Sequence, residues 1–302
     1  MSSDVSVSVR FYPPPEDLRR YFTTFYHTVI TTPDDAPVHD ALHPEWAGLR
    51  FFAGGSPVSE IEGCPRLTGA HFVASGPTTR ATRFTLGSTR LWGVGLLPLG
   101  WARFVRQSAA DLANQVVDGE SHTSFARFAP LARRLCAQPG DAQAELAQII
   151  AFFRNLPKVR EGDEARIQAI HAAVVDPTIS SVSELVEHVG TSQRTIERLT
   201  ARHFGFSPKQ LLRRQRFMRS LAQFMLDPSL KWIGAMDWTY HDQAQFVRDF
   251  HDFMGQTPRE YAATPHPILE HFIRERARVH GAPVQTMDSP DGAEPEASAS
   301  AA

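Results

Sequence analysis

Gln193, Arg194, Glu197 and Arg198 carry the donors and acceptors that match the edges of base pairs. Arginine forks onto guanine, glutamine pairs with adenine, and a carboxylate accepts from the cytosine amino group. At positions i, i+1, i+4 and i+5 of a helix the four share one side, while Ile196 and Leu199 turn to the other. Fifty residues further on, Gln243, Ala244, Val247 and Arg248 repeat the spacing opposite Phe246 and Phe250. Ala244 and Val247 are of a size to touch a thymine methyl. Arg198 and Arg248 also suit a second role, locking the fold by pairing with an acid that caps a helix.

The elements that must position these side chains repeat with them. At the same offset Gly205 falls on Gly255, Ser207 on Thr257 and Pro208 on Pro258. In the first copy Ser181 and Glu184 form a capping box, and Gly190 supplies the turn. Ser192 then caps a longer helix that Gly205 ends. The second copy runs from Ser229 to Met236, turns through Asp237 to His241, and restarts at Asp242. Short helix, tight turn and longer helix make a helix-turn-helix unit, here built twice. Each copy closes on an N-cap followed by proline at the first helical position. Between the copies, PKQLLRRQRFMRSLAQFML predicts a helix of about 18 residues, about 27 Å long. That length approaches the ~34 Å between successive major-groove faces on one side of a duplex.

Charge is uneven along this half. From Arg194 to Arg219 eight basic residues face the single acid Glu197, whereas from Asp227 to Glu260 three face six. Phosphate neutralisation, which supplies most non-specific affinity for nucleic acid, therefore falls to the first copy and the linker helix, with Arg202, Lys209 and Arg213 as contacts beside Arg194 and Arg198.

The rest of the chain predicts an α+β protein. The first hundred residues hold short aromatic and branched runs between Gly, Pro and Ser clusters, the pattern of a small antiparallel barrel or sandwich. Ala102 to Leu156 reads as one or two helices, with Leu146, Ile149, Ile150 and Phe153 on one stripe. A charged segment containing Pro157 and Gly162 sets the boundary near residue 160. Three regions follow: 1–160, 161–264, and 265–302 as a C-terminal helix with a tail. From Ala282 on, the chain is small, acidic and without aromatics, which predicts disorder.

The full chain of 302 residues is 42% hydrophobic with a net charge of -2, which excludes a disordered or collagenous chain. Cys64 and Cys136 have no metal-ligand or redox spacing, and for Cys64, beside Pro65 and a candidate thiol sensor, nothing nearby visibly lowers the pKa. His43-Pro44-Glu45 is the one close grouping of metal-ligand types in the first half, and its proline favours a loop; no metal is expected. Phe51, Phe52, Phe72, Phe84, Trp92 and Trp101 read first as core, with Arg83 and Trp92 as candidate contacts to a small molecule. No phosphate loop, catalytic triad spacing or metalloprotease helix is present, so neither catalytic residues nor cofactors are expected. No apolar run reaches membrane-spanning length and the first residues lack a secretion signal, so a cytoplasmic protein with no membrane partner is expected.

The stretch VSELVEHVGTSQRTIERLTARHFGFSPKQLLRRQRF, followed by LKWIGAMDWTYHDQAQFVRDFHDFMGQTPREY, resembles the DNA-binding domain of the AraC/XylS family of bacterial transcription regulators. The resemblance covers about residues 165 to 263. It implies seven helices placing two helix-turn-helix units in adjacent major grooves of double-stranded DNA. It places base contacts around Arg194, Glu197, Arg198, Gln243, Ala244, Val247 and Arg248. It also implies RNA polymerase as a partner and association with the nucleoid. Two positions depart from the family pattern. Thr239 stands where glycine is usual and predicts a strained second turn; Thr200 replaces a large apolar residue and predicts a looser first unit. GPTTRATRF and LWGVGLLPLGWARFV resemble the cupin-like sensory domains fused to such regulators. This implies a small-molecule effector in the first hundred residues and homodimer pairing through about 105 to 155. The alternatives are a metal-dependent cupin enzyme with an appended DNA-targeting module, a DNA-repair alkyl acceptor, whose reactive-cysteine setting Cys64-Pro65-Arg66 does not supply, and a helical-repeat protein that binds another protein through the same arginines.

Overall fold

Alternation of side chains above and below each strand divides the N-terminal half into two packed layers. The computed structural model describes residues 5–137, 140–157, 162–227, 230 and 232–290. Its strands are β1 (Ser6–Tyr12), β2 (Phe22–Thr31), β3 (Val38–Leu42), β4 (Ala47–Gly54), β5 (Val58–Ile61), β6 (Phe72–Ser75), β7 (Thr82–Leu86), β8 (Thr89–Leu96) and β9 (Val116–Asp118). Six form an antiparallel sheet in the order β1-β2-β8-β4-β6-β9, and three form a second in the order β3-β7-β5. On β4 and β8, Leu49, Phe51, Trp92 and Val94 face one way, into a core closed by α1 (Pro98–Phe104), α2 (Ala129–Leu135) and α3 (Ala142–Asn155). The alternate residues Phe52 and Leu91 face the second sheet and meet Phe84 and Leu86 of β7. Among the described residues the two sheets share side chains but no ladder. The antiparallel domain predicted from sequence is present, whereas closure into a barrel is not shown.

The segment after Trp101 is less helical than its composition predicts, with β9 interposed between α1 and α2. On α3 Ile149 and Phe153 are buried against the chain's own sheet, and Leu146 and Ile150 are half-buried. Glu145, in the first turn of α3, is buried as well. It receives Arg90 and the indole N–H of Trp92 (2.7 Å), a buried pair that the apolar stripe does not reveal.

The helical half contains α4 (Glu164–Val175), α5 (Val182–Val189), α6 (Gln193–Phe204), α7 (Pro208–Leu226), α8 (Trp232–Ala235), α9 (Gln243–Met254) and α10 (Pro258–Ala263). These are the seven helices that the resemblance implies. Both capping boxes form, at Ser181/Glu184 and Thr257/Glu260. Gly190, Gly205 and Gly255 end their helices at φ of 66°, 82° and 67°, the left-handed region that favours glycine. The boundary near residue 160 and the start at Ser229 lie outside the described residues.

The two halves do not have separate cores. Trp46, Leu97 and Leu99 of the sheet domain pack in one cluster with Leu185, Ile196 and Leu199 of the first helix-turn-helix unit, Ile167 of α4 and Leu211 of α7. A final helix, α11 (Leu269–His280), returns to the sheets and lies on β1. Asp40 of β3 caps it, accepting the backbone N–H groups of Ile268 and Leu269 at 2.8 Å each. The segment after α11 departs from its predicted disorder: Val284 and Thr286 are buried, and Asp288 pairs with the buried Arg276. Its polar side chains find partners inside the fold, which composition cannot register. Residues 291–302 lie outside the described set.

Candidate nucleic-acid interface

Helices α6 and α9 are built alike. Ser192 accepts the N–H of Thr195, and Asp242 accepts that of Gln245, so each helix starts on a side-chain cap. Ile196 and Leu199 on α6, and Phe246 and Phe250 on α9, are wholly buried or nearly so. The opposite sides remain open: Gln193, Arg194, Glu197, Arg198 and Arg202 on α6, and Gln243, Ala244 and Arg248 on α9, are exposed, with Val247 half-buried. In the turn before α9, Trp238 is 76% exposed, an apolar ring on the outer surface.

Within the open faces some side chains already have protein partners. Gln193 donates to Glu197 at 2.8 Å along α6. Arg198 donates to Asp163, the N-cap residue of α4, at 3.2 Å while keeping half its surface exposed. The fold-locking role open to Arg198 is thus occupied, and Asp163 is held below the usual carboxylate range first by Arg166 and then by Arg198.

The linker helix differs most from the charge count. Arg214 is wholly buried between the two halves. Arg213 and Arg216 both reach Asp249 of α9 (2.6 and 3.0 Å), and Arg213 also reaches Asp252. Arg219 pairs with Asp237 at 2.5 Å. The α7 arginines therefore fasten the second unit to the rod, and Arg213 is directed to the protein's own acids instead of to phosphate. Lys209 is exposed on the edge of a groove of about 590 Å³ between α5, α7 and α9, which Arg248 also lines. Sequence reading missed Asp249; its recurrence among apolar α9 positions, three and seven residues from Phe246 and Asp242, was the available signal.

The two departures from the family pattern are accommodated. Thr239 is not among the described residues with positive φ, and its N–H donates to Asp237 Oδ1 at 2.9 Å, so the turn is closed by a side chain without left-handed strain. Thr200 is wholly buried and its hydroxyl donates to the Glu197 carbonyl at 3.2 Å, which satisfies it without loosening the unit.

In the sheet domain the space between the layers holds two small adjoining cavities, of about 90 and 50 Å³. Tyr26, Arg50 and Phe272 line both. Arg50 is saturated: it donates to both oxygens of Glu45, to the Tyr26 hydroxyl at 3.0 Å and to Ser75. Neither sequence candidate for a small-molecule contact lies here. Trp92 is on the opposite face of the sheet, bonded to Glu145, and Arg83 is exposed on the second sheet beside Gly255 of the second unit. Strand parity decides this: Leu91 points into the cavity, so Trp92 cannot. Phe52 and Phe84 do line the cavity, whereas Phe51, Phe72 and Trp101 belong to the helix-covered core.

His43 and Glu45 do not form a metal site. The His43 Nε2 bonds Tyr261 at 2.7 Å, and Glu45 is taken by Arg50, Ser75 and Gln285. Among the described residues no group of three or more His, Cys, Asp or Glu is placed to hold a metal ion. Cys64 donates to the Asn114 carbonyl, and burial pushes the Cys136 thiol up to about 11. Among the described residues no helix is long and apolar enough to cross a membrane.

Comparison with known proteins matches residues 185–264 to the family described as a helix-turn-helix domain, and residues 10–118 to a domain of unknown function (DUF6597). No curated protein matches the chain. Solved structures that align with the chain include ToxT from Vibrio cholerae, at 10% identity and a TM-score of 0.42 over 86% of this chain and 98% of that one. Unsaturated fatty acid bound ToxT aligns at 12% identity and a TM-score of 0.40, covering 87% and 95%. The AraC-like transcriptional activator CuxR aligns at 13% and 0.26, covering 72% and 87%. Likeness at these levels establishes neither a shared ligand nor a shared site. The duplicated capped unit and the domain family that matches it do establish the C-terminal half: residues 185–264 carry a helix-turn-helix domain, built twice as in the AraC/XylS type, of the kind found in DNA-binding transcription regulators.

Proposed function

We propose that the chain reads a specific operator in double-stranded DNA with α6 and α9 in adjacent major grooves, under control of a small-molecule effector at the N-terminal domain. Gln193, Arg194, Glu197 and Arg198 on α6, with Gln243, Ala244, Val247 and Arg248 on α9, face base edges in this reading. Arg202 and Lys209 meet phosphates. The observation that carries it is the repetition of one capped unit at both ends of the 19-residue α7, each copy with its apolar side buried and its polar side open. Neutralising several phosphates makes such binding fall steeply with salt. The family resemblance supports RNA polymerase and a second copy of the chain as partners at a promoter.

An electrophoretic shift assay with the DNA upstream of the protein's own coding sequence, followed by footprinting, tests this. Two protected patches one helical turn apart, lost on raising salt, are the expected result. Binding that survives both Arg194→Ala and Arg248→Ala unchanged removes the assigned faces.

A further inference from the structure

The cavity between the sheets is filled by the chain itself. Phe272 of α11 projects between Phe11 and Tyr26, with ring centroids 5.9 and 5.4 Å away and the rings edge to face. Behind α11 the strap from Ala282 to Asp288 completes the plug. Gln285 donates to Glu45 at 2.6 Å and lies 3.4 Å from the Thr23 hydroxyl, so a carboxamide occupies the polar end of the cavity. The space left over, about 90 and 50 Å³, is far below the ~300 Å³ at which small-molecule pockets begin. Any ligand of that size must displace the plug.

The plug also touches the DNA-binding half. Gln215 of α7 donates to the Thr286 carbonyl at 2.7 Å, and the backbone of Asp288 lies against His171 of α4. Glu45 is shared in the same way: its carboxylate faces the cavity, while its carbonyl accepts from Arg214 of α7 at 3.3 Å.

We infer that this cavity is a binding site for an elongated, uncharged, largely apolar molecule bearing a hydroxyl or amide at one end, and that α11 with the strap is its intramolecular occupant. The inference deepens the effector reading above and rests on it for the link to DNA. The ligand class follows from the lining. Ile30, Phe52, Val73, Phe84 and Leu91 form an apolar lobe, and the one unpartnered polar atom among its buried side chains is the Thr82 hydroxyl. At the neck Arg50 is neutralised by Glu45, and Arg276, the other guanidinium of the lining, by Asp288, so while that pair stays in place the site holds no free charge for an ionised ligand. At the polar end a ligand hydroxyl or amide takes the place of Gln285 on Glu45. Entry displaces Gln285 from Glu45 and the neighbouring Thr286 carbonyl from Gln215 of α7, with Asp288 staying on Arg276, which frees the recognition units to adjust to a duplex.

The test uses the full chain with 1-decanol as the neutral probe and decanoate as its charged counterpart, binding being read by calorimetry. Gln285→Ala and Phe272→Ala should tighten decanol binding about tenfold, because each removes part of the plug and raises the fraction of molecules whose site is open. Phe153→Ala, which removes a ring from the opposite face of the sheet, should not. In the wild type, decanol should speed hydrogen exchange of the 268–288 amides. Unchanged decanol affinity in both plug variants, or slower exchange of α11 on binding, overturns self-occupation. Decanoate binding as tightly as decanol overturns the uncharged ligand class. Absence of any DNA shift by the wild-type chain, with or without decanol, sinks the operator reading alone and leaves the binding results to decide the site.

Discussion

The guanidinium of Arg214 lies 4.0 Å from the ring centroid of Trp46, with both side chains wholly buried. Its Nη1 donates to the carbonyls of Glu45 and Thr78, so the rod between the two recognition units is bolted to the loop that enters β4. Burial without a carboxylate partner draws this guanidinium down to about 9. The indole face and two carbonyls replace part of the hydration that a buried cation loses. Trp46→Ala should lower stability by about 3–5 kcal/mol, through lost packing and a stranded charge. Arg214→Met, which removes the charge and keeps the bulk, should cost less. Urea denaturation of both variants checks the order, and the reverse order would show that the charge, not the ring, carries the contact.

Acid should loosen the same junction. Burial holds His43 and His171 neutral, with pKa values lowered to about 3 from 6.5. Below pH 6.5 the unfolded chain takes up protons that the folded chain refuses, so stability falls as pH drops, over the window from 6.5 to 3. At pH 5 each contributes a loss of about 2 kcal/mol. Thermal unfolding at pH 7 and pH 5 measures the total, and His171→Phe should flatten the decline.

Asp249 is the pivot of the second unit, receiving Arg213, Arg216 and the Tyr240 hydroxyl at 3.0 Å. Asp249→Ala leaves Arg216 without its carboxylate and Arg213 with Asp252 alone, and should cost about 3–5 kcal/mol. With α9 held to α7 less firmly, DNA affinity should fall as well, although Asp249 itself is buried. Denaturation and shift assays on one preparation report both effects.

Arg194 and Arg198 separate reading from scaffolding. Arg194→Ala should weaken operator binding by about 1–3 kcal/mol with little change in stability. Arg198→Ala removes a contact to Asp163 as well, so it should also lower the unfolding midpoint slightly, since an exposed pair is worth about 0–1 kcal/mol. Binding isotherms at two salt concentrations distinguish a phosphate contact, which changes the salt slope, from a base contact, which does not.

The helical half was legible because its signals are local. Caps at Ser192, Ser207 and Thr257, glycines at 205 and 255, and apolar spacing along α6 and α9 act within one or two turns, and each appears in the structure as the sequence predicts. The exposed faces of the two recognition helices follow from the same periodicity. Strand parity was legible in principle but needed an absolute phase. Without knowing which sheet face meets the helices, Trp92 and Leu91 are equivalent candidates, and Trp92 lies on the side away from the cavity.

Partner choice over long sequence separation was not legible. A run of eight basic residues reads as a surface for polyanions, yet half of them on α7 find Asp249, Asp252, Asp237 or the Trp46 ring. An acidic tail without aromatics reads as solvated, yet Gln285 and Asp288 find Glu45 and Arg276. Local hydrogen bonding and side-chain period determined the duplicated reader from sequence alone. Which charges remain free for a ligand, and which cavity the chain closes on itself, only the tertiary structure decided, because the energy of a charged group depends on neighbours that folding brings from 12 to 240 positions away, beyond the reach of local periodicity.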